Sequence, residues 1–325
     1  MLVLSKSNAK DKDEFMNTVK KINWSEIALP IVIILLSIFF YSVNHNFFSV
    51  MNFQNIGRQS SILAMLAIGQ AVVIICGGID LSQGALMALS SLIGADIMVK
   101  YGMWEGVIAC ILIGIFVGTI TGIICSKGKI PPFVVTLGLM TALRGFTFLY
   151  TGGFPVTGLP TAFKYLGFGT LGGFPFVAIL TLLFFSLAAF FLKWTKIGRY
   201  FFAIGGNEST AILSGIKVDN FKIISFAISG LMASLSGLIM TSRIVSGQPT
   251  IGEGMALLAI AACVIGGVSL KGGRGNIAGV FFGVLILSLI ANGLNLMRVS
   301  SFAQMVVNGL IIIVAVFFDQ YARKD

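Results

Sequence analysis

The sequence has 325 residues, of which 57% are hydrophobic and only 10% are charged, with a net charge of +10 and a mean hydropathy of +0.98. Soluble domains carry about 25% charged residues, so this composition excludes a soluble globular protein. The apolar runs are about 17–22 residues long, as helices that cross a membrane require, whereas barrel strands alternate over about 10 residues. We therefore predict an all-α polytopic membrane protein.

In chain order, the apolar runs predict about ten transmembrane helices. The third and eighth are rich in glycine, serine and alanine, which is typical of broken or re-entrant helices. A polar tail, 1–26, precedes the transmembrane domain, 27–318, and a short tail, 319–325, follows it. The predicted spans are 27–44, 59–76, 82–99, 104–125, 133–150, 173–192, 219–240, 255–270, 276–296 and 302–318.

The basic residues indicate the orientation, because Lys and Arg concentrate in cytoplasmic loops. With the N-terminus in the cytoplasm, most of the 22 basic residues fall on the cytoplasmic side, among them Lys20, Lys127, Lys196 and Arg323. We therefore expect both termini in the cytoplasm. The positive charge reflects this topology and gives no indication of nucleic-acid binding.

The sequence lacks the residues that several kinds of chemistry require. A phosphate loop of the form GxxxxGK[ST] is absent, because Gly128-Lys129 is followed by Ile130 and position 123 is Ile, so we expect no ATP binding by the chain itself. The four cysteines have no paired spacing, and His45 is the only histidine. We therefore expect no metal site and no enzyme activity.

The polar segment Gly198–Lys217, within the predicted cytoplasmic loop 193–218, has the signals of a short helix. Asn207 is a good N-cap, Glu208 suits the first turn, and Gly215 suits a left-handed terminator. The helix has about two turns, fewer than the roughly 12–15 residues that an isolated helix needs in water. It must therefore pack on something, either its own bundle or a partner.

Polar residues within the spans are the next candidates, because each is costly in lipid. Asp80 and Ser82 lie in GGIDLSQG, where they either cap the next helix or line the inner mouth of a transport path. Arg144 lies near the middle of the fifth span and needs an acidic or carbonyl partner, for which Asp80 and Asp96 are the acidic candidates.

Two pairs of amides also share helix faces. Asn292 and Asn295 are three residues apart, and Gln304 and Asn308 are four apart. Such amides either bond neighbouring helices to one another or bind substrate.

Four stretches together resemble the ribose-type family of bacterial ABC sugar permeases. They are GGIDLSQG (77–84), IPPFVVTLGLMTALRG (130–145), GRYFFAIGGNESTAILSGI (198–216) and AIAACVIGGVSLKGGRGNIAG (259–279). They occur in the family's order, and the similarity extends from about residue 50 to the end of the chain.

The resemblance implies a multi-pass permease subunit of the bacterial cytoplasmic (inner) membrane that imports a monosaccharide, such as ribose or a related pentose. It implies a membrane pair, made of two copies or of this chain with a sister permease. A separate cytoplasmic ATPase would use ATP and Mg, and an extracytoplasmic binding protein would deliver the sugar. No cofactor or metal is expected on this chain.

The resemblance also assigns roles to residues. The coupling helix that contacts the ATPase would comprise Gly205, Gly206, Asn207, Glu208, Ser209, Thr210, Ala211, Leu213, Ser214 and Gly215. Two extracytoplasmic loops, Thr151–Gly172 and Thr241–Gly254, are either a docking surface for the binding protein or plain loops; the docking candidates are Thr151, Gly152, Pro155, Gln248, Pro249 and Glu253. The candidates for the path or gate are Asp80, Ser82, Arg144, Asn292, Asn295, Gln304 and Asn308.

The chain departs from the family in one place. The family has a G-Y-E-L-D-A-I-A-A pattern where this chain reads GMALLAIAA (254–262), so that Ala256 and Leu258 replace acidic residues. The departure puts the family's treatment of substrate or binding protein in doubt at this region, which we expect to face outward.

A different class of function remains open. A stand-alone secondary transporter or channel for a small neutral solute would need buried ion-coupling residues, and only Asp80 and Asp96 are available. An intramembrane hydrolase or acyltransferase would need a nucleophile with its base, and the sequence has no such pair.

Overall fold

The computed structural model describes the chain from Trp24 to Tyr321, with side chains from Ala28 to Phe317. The predicted tails, 1–26 and 319–325, lie wholly or largely outside the described residues. The helices are α1 (Trp24–Val43), α2 (Val50–Ile75), α3 (Gln83–Lys100), α4 (Met103–Lys127), α5 (Pro132–Thr151), α6 (Lys164–Phe168), α7 (Phe176–Trp194), α8 (Lys196–Gly206), α9 (Glu208–Leu213), α10 (Val218–Ile244), α11 (Met255–Ile265), α12 (Ile277–Leu296) and α13 (Ser301–Tyr321). A two-residue antiparallel hairpin pairs β1 (Thr170–Leu171) with β2 (Phe174–Pro175), and single 3-10 turns cover His45–Phe48 and Thr161–Phe163.

The all-α membrane class is confirmed. Within the described chain, six helices are long and apolar enough to cross a membrane, namely α2, α4, α5, α7, α10 and α12, while α1, α11 and α13 contain shorter apolar segments. Each predicted span overlaps a helix, and most boundaries agree within a few residues. Two differ more, because α2 begins at Val50 rather than at 59 and α11 ends at Ile265 rather than at 270.

Polar residues concealed the first turns of α2. Asn52 is buried, and Gln54 and Arg58 donate to the backbone carbonyls of Gly173 and Phe168 beside the hairpin. A hydropathy pattern ends where such residues begin, because their partners are far away in the sequence.

Helix α2 occupies the centre of the bundle, and α10 lies between α2 and α4. Gly114, Gly118 and Gly122 of α4 recur every four residues and face the backbone of α10, where a Cβ at Gly114 would overlap the carbonyl oxygen of Gly230. Small residues at this spacing let two helix backbones approach closely. The van der Waals packing that results is one of the forces that hold helices together in lipid.

Candidate functional site

After α2 ends, the chain turns back into the bundle before α3 begins. The turn is made at Gly77, whose φ of +90° suits glycine, and the non-helical segment 76–82 follows. The buried Asp80 carboxylate accepts three hydrogen bonds, from the Ser82 backbone N–H (2.9 Å) and hydroxyl (2.6 Å) and from the Ser229 hydroxyl (2.6 Å) of α10. Asp80 therefore fixes this segment to α10.

The prediction that Asp80 and Ser82 cap the next helix is wrong for Ser82. Ser82 lies at the N-cap position of α3, but its hydroxyl makes no capping bond to the helix and bonds Asp80 instead.

A glutamine of α2 supplies partners for the backbone of the same segment. With the Gln70 amide oriented so that each end meets a complementary group, its nitrogen donates to the Asp80 carbonyl (3.0 Å) and to Gln83 Oε1 (3.0 Å), and its oxygen accepts the Asp80 N–H (3.2 Å). Non-helical backbone is stable at membrane depth only where its N–H and C=O groups have such internal hydrogen-bond partners. Ser229 follows the start of α10 by eleven residues, or about 16 Å of helix rise, so the segment lies deep within the bundle.

A second non-helical segment, 245–254, enters the bundle from the opposite end. Gly247 packs against Leu92 and Ala95 of α3, whereas Gly252 packs against Gly84, near the beginning of the same helix. Ala95 and Gly84 are eleven residues apart, or about 16 Å of helix rise. The segment therefore runs alongside α3 as irregular chain, with turns over 249–254 and positive φ at Val245, Gly252 and Gly254.

This position corrects the predicted extracytoplasmic loop Thr241–Gly254. Its first four residues belong to α10, and its last residues lie deep beside α3 rather than at the end of the bundle. The departure from the family pattern, at Ala256 and Leu258, falls in the first turns of α11, next to this deep contact, and not on an outward-facing loop.

Arg144 of α5 bonds the non-helical segment 245–254. Its guanidinium Nη1 donates to the carbonyls of Pro249 (2.9 Å) and Ile251 (3.1 Å), which confirms carbonyl partners. The acidic alternatives are wrong, because Asp80 is bonded to serines and Asp96 accepts from Lys100 (2.8 Å) and the Tyr150 hydroxyl (2.7 Å).

Three of the four amides bond neighbouring helices. Asn292 of α12 and Asn52 of α2 exchange two hydrogen bonds of 2.8 and 2.9 Å, and Gln304 of α13 donates to Asn295 of α12 at 2.9 Å. Asn308 is half-buried on α13. Asn292 and Asn295 lie near the end of α12 that is remote from Asp80, so the structure does not place them with Asp80 and Arg144.

The two predicted extracytoplasmic loops contact each other. Val156 and Gly247 exchange backbone hydrogen bonds of 2.8 and 2.9 Å in an isolated antiparallel bridge. The docking candidates do not share one surface. Gly152, Pro155 and Glu253 are exposed, Thr151 and Gln248 are half-buried and Pro249 is buried, while Glu253 follows the deep Gly84 contact.

At the other end of the bundle, Asn207 forms the junction between two helices. It ends α8 and caps α9, with its side-chain oxygen accepting the Thr210 N–H (2.9 Å) and the Ser209 hydroxyl (2.7 Å). Gly215, with a φ of +80°, follows the helix as predicted. Helix α8 was not predicted; Phe201 and Ile204 form its buried face.

Helix α9 is attached to the bundle on one side and open on the other. Glu208 forms a 2.7 Å ion pair with Lys222 of α10, and Ala211 is buried. Ile212 and Leu213 are 55% and 88% exposed. Glu208, Ser209, Thr210, Ser214 and Gly215 are also exposed.

The two glycines before α9 differ in their surroundings. A Cβ at Gly205 would overlap the Ile75 carbonyl oxygen and lie 2.5 Å from the Gly273 nitrogen, whereas a Cβ at Gly206 would have no neighbour within 4 Å. Gly205 therefore connects this loop to the end of α2 and to the turn after α11, and the Cβ position of Gly206 faces outward.

Comparison with known proteins identifies the family. A family model described as "Branched-chain amino acid transport system / permease component" matches residues 52–316. The chain belongs to this permease family. It is 43% identical to the ribose import permease protein RbsC of Haemophilus influenzae over 305 residues, which cover 91% of this chain and 92% of the relative. It is 46% identical to RbsC of Bacillus subtilis over 299 residues (90% and 91%) and 37% identical to the L-arabinose transport system permease protein AraH of Escherichia coli over 302 residues (93% and 92%). No solved structure matches.

The resemblance to ribose-type permeases is thus confirmed, and the chain is a multi-pass protein of the bacterial cytoplasmic membrane. Sequence reasoning missed several residues that organise this permease. Gln70 and Ser229 are polar residues inside apolar spans, which is a signal that could have singled them out. Gly84 and Gly252 carry no such signal, because their contact joins segments that are far apart in the chain.

Proposed function

We propose that this chain is the membrane permease subunit of an ATP-driven importer for a monosaccharide, ribose or a related pentose, and that α9 couples it to a separate ATPase. The family description names branched-chain amino acids, but relatives named for ribose and arabinose are 37–46% identical over nine tenths of the chain. We give these relatives more weight because they match the chain at high identity along nearly its whole length.

The observation that carries the proposal is the exposed apolar tip of α9. A six-residue helix is too short to be stable alone, and yet Leu213 and Ile212 point away from the bundle. Exposed apolar side chains on a polar loop are typical of an interaction site. Since the sequence has no phosphate loop, a separate ATPase is the partner that supplies energy.

The contacts of α9 lead towards the deep segments. Glu208 pairs with Lys222, and Ser229, seven residues further along α10 and therefore on the same helix face, bonds Asp80. A displacement of α9 would thus reach segment 76–82 through one helix. Gly205 provides a second contact, to the end of α2.

In this proposal the non-helical segment 245–254, held by Arg144, lines the translocation path with the beginning of α3. The proposed subunit has ten spans with both termini in the cytoplasm. A second permease subunit completes the path. The binding protein docks at the opposite end from α9, where Gly152 and Pro155 are exposed.

A secondary transporter or channel is less well supported. Its ion-coupling acids would be Asp80 and Asp96, but each already accepts bonds from protein donors, three at Asp80 and two at Asp96. Sugar uptake that persists without ATP and is insensitive to vanadate would favour this alternative.

The test is Leu213→Asp, with Ile130→Asp as the control. Ile130 is 41% exposed in the loop between α4 and α5, at the same end of the bundle as α9. Burial of one leucine contributes about 1.5–3 kcal/mol, so we expect Leu213→Asp to weaken ATPase binding by at least about tenfold. Co-purification with the ATPase and sugar-stimulated ATP hydrolysis in proteoliposomes measure this. Equal binding and hydrolysis in both variants and the unmodified protein would contradict the coupling role of α9.

A further inference from the structure

An apolar cavity of about 410 Å³ opens on the side of the bundle, away from α9. Trp104 of α4 and Tyr165 of α6 are exposed at its rim, while Met65 of α2 and Ile239 of α10 are buried at its base. Every lining side chain is aliphatic, aromatic or a thioether, except for the Tyr165 hydroxyl at the rim. A polar solute buried here would lose its hydrogen bonds to water, so the cavity suits an alkyl chain.

Two arginines lie above the cavity on the helix faces that form its base. Arg243 follows Ile239 by one turn of α10, and Arg58 precedes Met65 by two turns of α2. Both lie beside α6, because Arg58 donates to the Phe168 carbonyl (3.1 Å) and the backbone of Arg243 contacts Gly167. Tyr165 of the same short helix is at the rim, so the cations and the cavity adjoin.

The arginine pair lacks a neutralising anion. The ion pairs of the described residues are Lys100–Asp96 and Lys222–Glu208, and neither includes these arginines. Both arginines contact the same short helix, α6, and Arg58 Nε is buried without a hydrogen-bond partner. Two cations in this arrangement would be stabilised by an anion between them.

We propose that the cavity and the arginine pair form a binding site for an anionic phospholipid. The phosphate lies between Arg58 and Arg243, where guanidinium groups donate charge-assisted hydrogen bonds to its oxygens. One acyl chain fills the cavity below, and Trp104 and Tyr165 lie at the level of the headgroup, where amphipathic aromatics concentrate. The surrounding membrane supplies the ligand.

Native mass spectrometry of the purified protein tests the site, with phosphatidylglycerol and phosphatidylcholine of identical chains in equal amounts. We expect about a thirtyfold preference for phosphatidylglycerol, the size that contacts of two arginines with an anionic lipid would give. Arg58→Gln with Arg243→Gln should abolish the preference, whereas Arg298→Gln, an arginine at the far end of α12, should leave it intact. A preference unchanged in the double variant, or absent from the unmodified protein, overturns the proposal.

A second variant separates the acyl chain from the headgroup and keeps both arginines. Leu180 lines the cavity from α7, so Leu180→Trp should fill part of it and lower the retention of phosphatidylglycerol several-fold. Full retention in this variant would overturn the acyl-chain assignment. Millimolar inorganic phosphate should not release the bound lipid completely. Complete release would also overturn the acyl-chain assignment, because a site that the anion alone satisfies needs no chain.

Discussion

Gly84→Ala tests the close contact between the two deep segments. A Cβ at Gly84 would overlap the Gly252 carbonyl oxygen and lie 3.1 Å from the Gly252 carbonyl carbon. Gly84 is in the first turn of α3 without a positive φ, so the added methyl group acts through steric contact alone. The opposing segment cannot move freely, because Arg144 bonds the carbonyls of Pro249 and Ile251 just before it.

The magnitude follows from two opposing effects. An added methyl group in a well-packed site costs about 1–3 kcal/mol, and alanine in place of glycine inside a helix regains about 0.5–1 kcal/mol. We therefore expect Gly84→Ala to lower the free energy of unfolding by about 1–2 kcal/mol. Gly252→Ala should cost more, since its φ of +77° adds about 1–2 kcal/mol of backbone strain.

Equilibrium unfolding in mixed detergent and SDS measures both variants, with Gly309→Ala as the control. A Cβ at Gly309 of α13 would have no neighbour within 4 Å, so the substitution should be neutral or slightly stabilising. The double variant at Gly84 and Gly252 should lose less than the sum of the single losses, because one displacement relieves both overlaps.

Two results would refute the reasoning. If Gly84→Ala is as stable as Gly309→Ala, the two backbones are not in contact. If the losses at Gly84 and Gly252 add fully, the residues are independent and the segments do not meet.

Two further substitutions address the polar contacts of the deep segments. Ser229→Ala removes one of three donors to the buried Asp80 carboxylate and should lower the free energy of unfolding by about 1–3 kcal/mol in the same assay. The control, Ser186→Ala, loses a bond only within α7 and should be nearly neutral. Equal losses of stability in the two variants would contradict the role of Asp80. Arg144→Gln should abolish sugar-stimulated ATP hydrolysis while co-purification with the ATPase persists, because it releases the non-helical segment 245–254 far from α9. Full activity of this variant would show that the two carbonyl bonds do not position the segment.

The sequence predicted the elements that depend on local signals. Apolar runs located the long helices, and the order Asn207, Glu208, Gly215 located α9, because capping and left-handed termination involve neighbours in the chain. Helix α8 was missed because it has only eleven residues, three of them glycine, and its buried face is short.

The deep segments depend on distant partners, which local patterns do not reveal. Arg144 clearly needed a partner, but the backbone carbonyls that it bonds belong to the non-helical chain after α10, which no local pattern reveals. Asp80 was singled out as a charged residue in an apolar region, yet its donor Ser229 lies 149 positions away in the chain. Hydropathy indicates the cost of a buried charge but not the group that offsets it.

Helix α10 explains how a loop at one end of the bundle can influence the deep segments. Lys222 and Ser229 are two turns apart, or about 10 Å of helix rise, on the same face. One bonds α9 and the other bonds segment 76–82, so a shift of α9 that moves α10 along its axis also pulls on Asp80. The exposed Glu208–Lys222 pair contributes little to stability, since such pairs are worth about 0–1 kcal/mol. Its importance would lie in transmission, and Glu208→Gln should therefore reduce the coupling of ATP hydrolysis to uptake far more than it reduces the free energy of unfolding.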